Sequence, residues 1–341
     1  MRRAAGLFEP AFSYHALHAA ATRAWRGRKH RRGAEALAFM VDLDPSLWAL
    51  QRALLSGAWR PGAPREFMIH DPKPRLICAA PFADRVVHHA LCAALAPRLE
   101  AALPPQSFAC RPGYGLHRAL AAALRVARAC PFVLRLDVAH YFESIPHDLL
   151  LAQVRRLYKE PPLLRLIERV VREGHPRGAG GRGLPIGALT SQHLANLYLA
   201  PVDRLALTLV SARGYVRYMD DLVLGFETAE AAWRAHALLA ARLGELGLRL
   251  KPSETRLSGR GGGWSFLGFR LWPHRVRLDA PRRRRLIRRV RALSRAAASG
   301  RLAGDALRRR VEGVSAWVAA GHTRALRVSV WGRRWEVWEG L

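Results

Sequence analysis

Residues 214–226, GYVRYMDDLVLGF, constrain this chain more than any other stretch, because two apolar β-type runs meet there at the acids Asp220 and Asp221. The pattern predicts a hairpin with both carboxylates at its tip. Adjacent carboxylates at a tight turn repel each other, and a divalent cation relieves the repulsion. A solvated acidic turn would account for a bare Asp-Asp pair. The tetrapeptide Tyr218-Met219-Asp220-Asp221, however, arises by chance only on the order of once in a thousand chains of this length. A third acid, Asp137, ends the apolar start of FVLRLDVAHYFESI, residues 132–145. Phosphoryl transfer assisted by two Mg²⁺ ions needs carboxylates converging from neighbouring strands, and Asp137, Asp220 and Asp221 supply that set. The fold must then bring the end of one strand beside the tip of a hairpin.

The charge balance names the kind of partner. The 341 residues carry 56 Lys and Arg against 26 Asp and Glu, a formal net charge of +30. Such an excess points to a polyanion. Lys29, Lys73, Lys159 and Lys251 are the only lysines, so nearly all the positive charge sits on Arg, whose planar fork suits phosphate, although an Arg-rich codon bias accounts for the preference for Arg over Lys equally well. Half of the residues are hydrophobic, which excludes a disordered chain. Cys78, Cys92, Cys110 and Cys130 are too scattered for a zinc site and read as reduced core thiols. Ser191 has no nucleophile elbow around it, which removes a serine hydrolase. Met1-Arg2-Arg3 leads into no apolar signal core and no long uncharged apolar run follows, so the expectation is a cytoplasmic protein with no membrane contact.

The chain reads as an α+β protein. Residues 1–60 are helical, with Leu43, Leu47, Leu50, Leu54 and Leu55 at helical spacing. Residues 59–77 suggest two short strands around Asp71-Pro72-Lys73-Pro74, and a helix covers 84–103. A strand is expected at 131–137, a helix at 146–158, a Gly/Arg loop at 174–183, and a turn running into a helix at 183–203. After the acidic hairpin come a helix at 229–246, two strand-like pieces at 248–257 and 264–276, and Arg-rich helix from Pro281 onward. In that tail Leu286, Ile287, Val290 and Leu293 form an apolar stripe among Arg282, Arg283, Arg284, Arg285 and later arginines.

The aspartate strand, the Gly/Pro turn with its helix, and then YMDD, in that order, resemble the palm of reverse transcriptases. The resemblance extends over about residues 65–275. It implies a right-hand polymerase: an N-terminal helical extension at 1–60, fingers leading into the palm at 61–130, a ferredoxin-like palm with inserted finger elements at 131–275, and a short helical thumb at 276–341. It implies catalysis by Asp137, Asp220 and Asp221, with Val138 joining them in holding two Mg²⁺ ions, Mn²⁺ substituting. DPKPRLI resembles the fingers strand whose cations, here Lys73 and Arg75, meet the triphosphate, although both could be plain turn cations. Phe142 falls where the family sets an aromatic ring against the sugar, so that dNTPs are chosen over rNTPs, with Tyr141 the competitor for that role. Ile186, Gly187, Gln192, Tyr218 and Met219 complete the implied nucleotide pocket. Phe266, Leu267 and Gly268 resemble the primer grip, with core packing the other reading for Phe266 and Phe269. Arg282 to Arg285 would meet the nucleic-acid backbone without reading sequence.

The subtype turns on GLPIGALTSQ at residues 183–192, where most families carry Gln in place of Ile186 and end in Ser-Pro rather than Ser191-Gln192. This variant resembles the reverse transcriptases of diversity-generating retroelements, which implies error-prone copying for mutagenic retrohoming. The implied partners are template RNA, a DNA primer or target DNA, dNTPs and an accessory variability protein. An apolar branched Ile186 offers none of the side-chain hydrogen bonds of Gln, so selectivity should fall. KPSETRL departs from the wider pattern, because Glu254 stands where many relatives place Lys and the nearest lysine is Lys251. The alternatives are an antiphage-defence or group II-like reverse transcriptase, or a non-catalytic RNA-binding protein on the same fold.

Overall fold

The computed structural model describes residues 3–26, 33–70, 74–174, 180–259, 261–302, 304–319 and 326. Lys73 with its turn, positions 175–179 of the Gly/Arg loop and nearly all of the chain past 319 therefore lie outside the described residues. In chain order the helices are α1 (Phe8–Ala11), α2 (Tyr14–Arg26), α3 (Ala34–Val41), α4 (Leu43–Leu55), α5 (Phe82–Ala102), α6 (Leu116–Ala129), α7 (Tyr141–Ser144), α8 (His147–Leu157), α9 (Pro161–Glu173), α10 (Leu189–Tyr198), α11 (Ala200–Leu209), α12 (Ala229–Glu245), α13 (Ala280–Ala298) and α14 (Gly304–Val318). The strands are β1 (Arg65–Ile69), β2 (Arg75–Ala79), β3 (Phe132–Asp137), β4 (Tyr215–Tyr218), β5 (Asp221–Phe226), β6 (Arg256–Gly259), β7 (Trp264–Phe266), β8 (Phe269–Trp272) and β9 (Arg275–Leu278). None of the described helices is long and apolar enough to cross a membrane.

The chain forms two compact units, interleaved in sequence: residues 1–110, 138–205 and 238–251 in one, and 111–137, 206–237 and 252–341 in the other. The first unit is built on α5. Val86, Val87, Ala90, Leu91, Leu95 and Leu99 bury at helical spacing along it, and α1, α2, α3 and α10 all pack against it. The β1–β2 hairpin belongs here, paired antiparallel from Arg65 opposite Ala79 to Ile69 opposite Arg75. The sequence reading passed over α9, although its Pro161-Pro162 start and its buried stripe Leu163, Leu166, Ile167, Val170 and Val171 mark an amphipathic helix.

The second unit is organised around a four-stranded antiparallel sheet in the order β4-β5-β3-β6. After α6, the chain runs β3, a helical stretch (α7 to α11) mostly lent to the other unit, then β4-β5, α12 and β6. This is the β-α-β-β-α-β ferredoxin-like connectivity, as expected. Leu134, Leu136, Leu222 and Leu224 are fully buried in the two central strands, and α6 contacts β3, β4 and β5. A second, three-stranded sheet, β7-β8-β9, precedes α13 and α14.

The strands after α12 differ from the expectation. Leu250 makes only an isolated bridge, Pro252–Glu254 is a 3₁₀ turn, and β6 begins at Arg256, because Pro252 has no N–H to extend a ladder. The expected single piece at 264–276 is instead three strands, folded back at Leu267-Gly268 and again after Trp272. The Arg-rich tail breaks into α13 and α14 around Gly300, which has φ +68°. Among the cysteines, Cys78 and Cys92 are buried, with burial pushing the Cys92 thiol up to about 12. Cys110 is exposed, contrary to its reading as a core thiol.

Gly225 on β5 sits where the packing of this sheet leaves no room for a side chain. A Cβ there would stand 2.4 Å from Cys130 Sγ and 2.8 Å from Val126 Cγ1. Gly225→Ala should cost about 1–3 kcal/mol of stability by overpacking. Urea unfolding will measure the loss, and adding Cys130→Ala should recover part of it.

Candidate active site

The acidic hairpin closes with two residues in its loop. Tyr218 pairs with Asp221, leaving Met219 and Asp220 between them. Met219 has φ +57° and is nearly buried, an uncommon conformation for a bulky residue that the surroundings must enforce at a cost of about 1–3 kcal/mol. The fully buried side chain of Arg217 supplies part of that enforcement, its Nη1 donating to the Met219 carbonyl at 3.1 Å. Arg217 sits in an otherwise apolar run, and the sequence reading gave it no role. A charge among β residues that face the core was the signal available.

β3 pairs with β5 along its whole length, and the pairing ends with Asp137 directly opposite Asp221. Their side chains are 20% and 19% exposed. Two residues earlier on β3, hence on the same face, Arg135 reaches across to this pair. Its Nε and Nη2 donate to Asp221 Oδ1 at 3.2 and 2.9 Å, and Nη2 lies 3.9 Å from Asp137 Oδ2. Its Nη1 lies 3.5 Å from Glu254 Oε2. Burial opposes the guanidinium's charge, but Asp221, Glu254 and Asp137 outweigh it and raise its pKa. Three carboxylates from the ends of paired strands and their connecting turn, all hard oxygen donors, suit Mg²⁺. As the side chains stand, no three Asp, Glu, His or Cys among the described residues are gathered closely enough to grip an ion. The fit rests on donor chemistry and register, with Asp221 Oδ1 engaged by Arg135.

The same unit carries the 266–268 turn and the start of α13. Phe266 and Phe269 pair across the turn and are buried, while Leu267 and Gly268, with φ +49° and +82°, are half-buried. Asp279 caps α13 by accepting from the Arg282 N–H at 2.8 Å, and the Arg282 guanidinium donates to the Leu267 carbonyl. Arg282 thus ties the turn to the helix. Arg283 and Arg284 are exposed, Arg285 is half-buried, and Leu286, Val290 and Leu293 are the buried stripe.

The other unit holds the remaining nucleotide candidates. The Ile186 carbonyl accepts from the Cys78 N–H of β2 at 2.9 Å, while Arg75 opens that strand exposed. At Gly187, φ is +119°, and a Cβ would lie 3.0 Å from the Cys78 carbonyl oxygen and from Ile77 Cγ2, so the backbones meet where only glycine fits. The Leu184 N–H donates to the Phe142 carbonyl at 2.8 Å. Gln192 Oε1 lies 3.6 Å from Cys110 Sγ. Phe142 is half-buried, whereas Tyr141 is buried with its hydroxyl on the Ala195 carbonyl. Val138 is buried and bridges Leu250.

Removing the buried guanidinium tests the turn directly. Arg217→Met leaves the Met219 carbonyl without that donor and should cost about 3 kcal/mol, the scale for breaking a buried charged contact. Chemical denaturation will read it, and Arg217→Lys should recover only part because an ammonium lacks the fork.

Several known proteins resemble this chain. The family model described as reverse transcriptase (RNA-dependent DNA polymerase) matches residues 69–271, which include all three acids. Protein YkfC of Escherichia coli K12 is 26% identical over 279 residues, covering 69% of this chain and 73% of that protein. The uncharacterized 91 kDa protein in the cob intron of Schizosaccharomyces pombe is 29% identical over 136 residues, 39% of this chain but only 17% of that protein. Apo telomerase from Candida tropicalis superposes with a TM-score of 0.49 at 8% identity, covering 64% of this chain and 49% of that one. With more than half of its length and the whole acidic hairpin inside the matched segment, the chain belongs to the reverse transcriptase family, the RNA-directed DNA polymerases.

Proposed function

We propose that this chain extends a DNA primer on an RNA template by two-metal nucleotidyl transfer, with Asp137, Asp220 and Asp221 as the catalytic carboxylates. The register that sets Asp137 opposite Asp221, with Asp220 on the turn beside them, carries this reading. These three acids and the backbone of Val138 would hold two Mg²⁺ ions, Mn²⁺ substituting. Bound there, the ions would activate the primer 3′-hydroxyl and neutralise charge on the leaving pyrophosphate. We assign residues 61–130 to fingers, 131–275 to palm and 276–341 to thumb, after an N-terminal extension at 1–60.

The chain's own residues would handle the substrates. Lys73 and Arg75 would meet the triphosphate of a dNTP, and Ile186, Gly187, Gln192, Tyr218 and Met219 would line the nucleotide pocket. The contact between Ile186 and β2 supports grouping Arg75 with Ile186. Burial of Tyr141 supports Phe142 as the ring that excludes the 2′-hydroxyl. Leu267 and Gly268 are the accessible part of a primer grip, with Phe266 as its buried support. Arg283 and Arg284 are best exposed to meet phosphate, with Arg282 and Arg285 behind them.

For the subtype we favour a diversity-generating retroelement enzyme, error-prone and serving mutagenic retrohoming with an accessory variability protein. Ile186 and Ser191-Gln192 support it. An intron-associated or other group II-like reverse transcriptase is the second reading, supported by the fission-yeast relative whose name places it in the cob intron. A template/variable repeat pair beside the gene separates the two.

Asp220→Asn with Asp221→Asn removes the charge but keeps the shape. Primer extension should fall by more than about a hundredfold, since metal assistance is worth several kcal/mol, while gel-shift binding of RNA persists. Substantial extension by this variant would sink the metal assignment. Sequencing cDNA from one RNA template copied by the parent, Ile186→Gln and Ile186→Val tests the subtype. Frequent errors opposite template adenine should drop in the Gln variant and persist in the Val variant, which nearly conserves shape and polarity.

A further inference from the structure

The proposed metal set leaves two neighbours unused, Arg135 and Glu254. Arg135 reaches both Asp137 and Asp221, and Glu254 shares it. The guanidinium's fork is rigid, so its edges serve different acids: Nε and Nη2 meet Asp221 Oδ1, while Nη1 faces Glu254 Oε2 at 3.5 Å. Glu254 reaches Arg135 from the 3₁₀ turn Pro252–Glu254, which packs on β3 and is anchored to it by the β3–β6 pairing that begins at Arg256. The register of the sheet, and not a flexible tail, sets this contact.

A guanidinium and a divalent cation attract the same carboxylate oxygens and repel each other at short range. How readily Asp221 turns to a cation therefore depends on how strongly Arg135 is drawn elsewhere. We propose that Glu254 is a positioning residue that draws Arg135 off Asp221 and Asp137 and so admits the divalent cations. This rests on the two-metal reading above. Without the Glu254 charge, the fork, which already donates to Asp221, would settle more firmly on the two metal ligands and compete more strongly with the ions. The inference also gives a role to an acid at the position where resemblance leads one to expect lysine.

The test measures metal binding by the full chain without nucleotide or primer, following free Mn²⁺ by electron paramagnetic resonance. Glu254→Gln should weaken Mn²⁺ binding by about fivefold, and Glu254→Asp should restore most of it. Arg135→Met should bind Mn²⁺ at least as tightly as the parent, and adding Glu254→Gln to it should change nothing further. If Glu254→Gln binds like the parent, or weakens binding equally with and without Arg135, the positioning role is overturned. Should the Met variant unfold, Arg135→Lys replaces it, since a shorter ammonium without the fork engages the acids on both sides less well. On that background the effect of Glu254→Gln should shrink below about twofold, and an undiminished effect overturns the proposal. Parent protein that binds no Mn²⁺, or Asp220→Asn with Asp221→Asn retaining parent affinity, overturns the two-metal reading itself.

Discussion

The pairing of β3 with β5 is the constraint on which the site depends. It joins segments more than eighty residues apart and ends with two carboxylates facing each other. Like charges directly opposite on a sheet destabilise it, so this register persists only because the apolar length of both strands outweighs the repulsion at one end. Leu134 and Leu136 on β3 and Leu222 and Leu224 on β5 are buried completely, and a slip of one residue would exchange them with Arg135, Asp137 and Asp221. The core therefore holds the acids in place.

Two arginines moderate the cost. Arg135 spreads one positive charge over Asp221, Asp137 and Glu254, and Arg217, wholly buried, grips the carbonyl of a left-handed Met219. Both lie within two residues of an acid or its turn, on strands rather than loops. Rigid support of this kind holds carboxylates to a narrow range of positions, which transfer chemistry demands.

The remaining arginines act differently. The chain carries a net charge of +30, and an excess of that kind attracts a polyanion without specifying sequence. On α13 the residues divide their work, since Arg282 is drawn into the 266–268 turn while Arg283 and Arg284 face outward. A run of four identical side chains in sequence is three environments in the fold.

By itself the sequence determined the family and much of the architecture. YMDD between apolar runs, the apolar strand ending at Asp137, and several helix stripes follow from local periodicity, and those elements formed where the period said. Pro252 and Gly268 were legible only afterwards as strand breaks, because whether a short apolar run is one strand or three depends on what it pairs with. α9 was missed although its stripe was plain. What only the tertiary structure decided was partnership: that Arg135 answers to three acids, that Arg217 is buried under the turn, that Ile186 leans on β2, and that Glu254 faces a cation. Such contacts join residues far apart in the chain. Strand register and helix packing set the distances between them, and no local pattern encodes those distances.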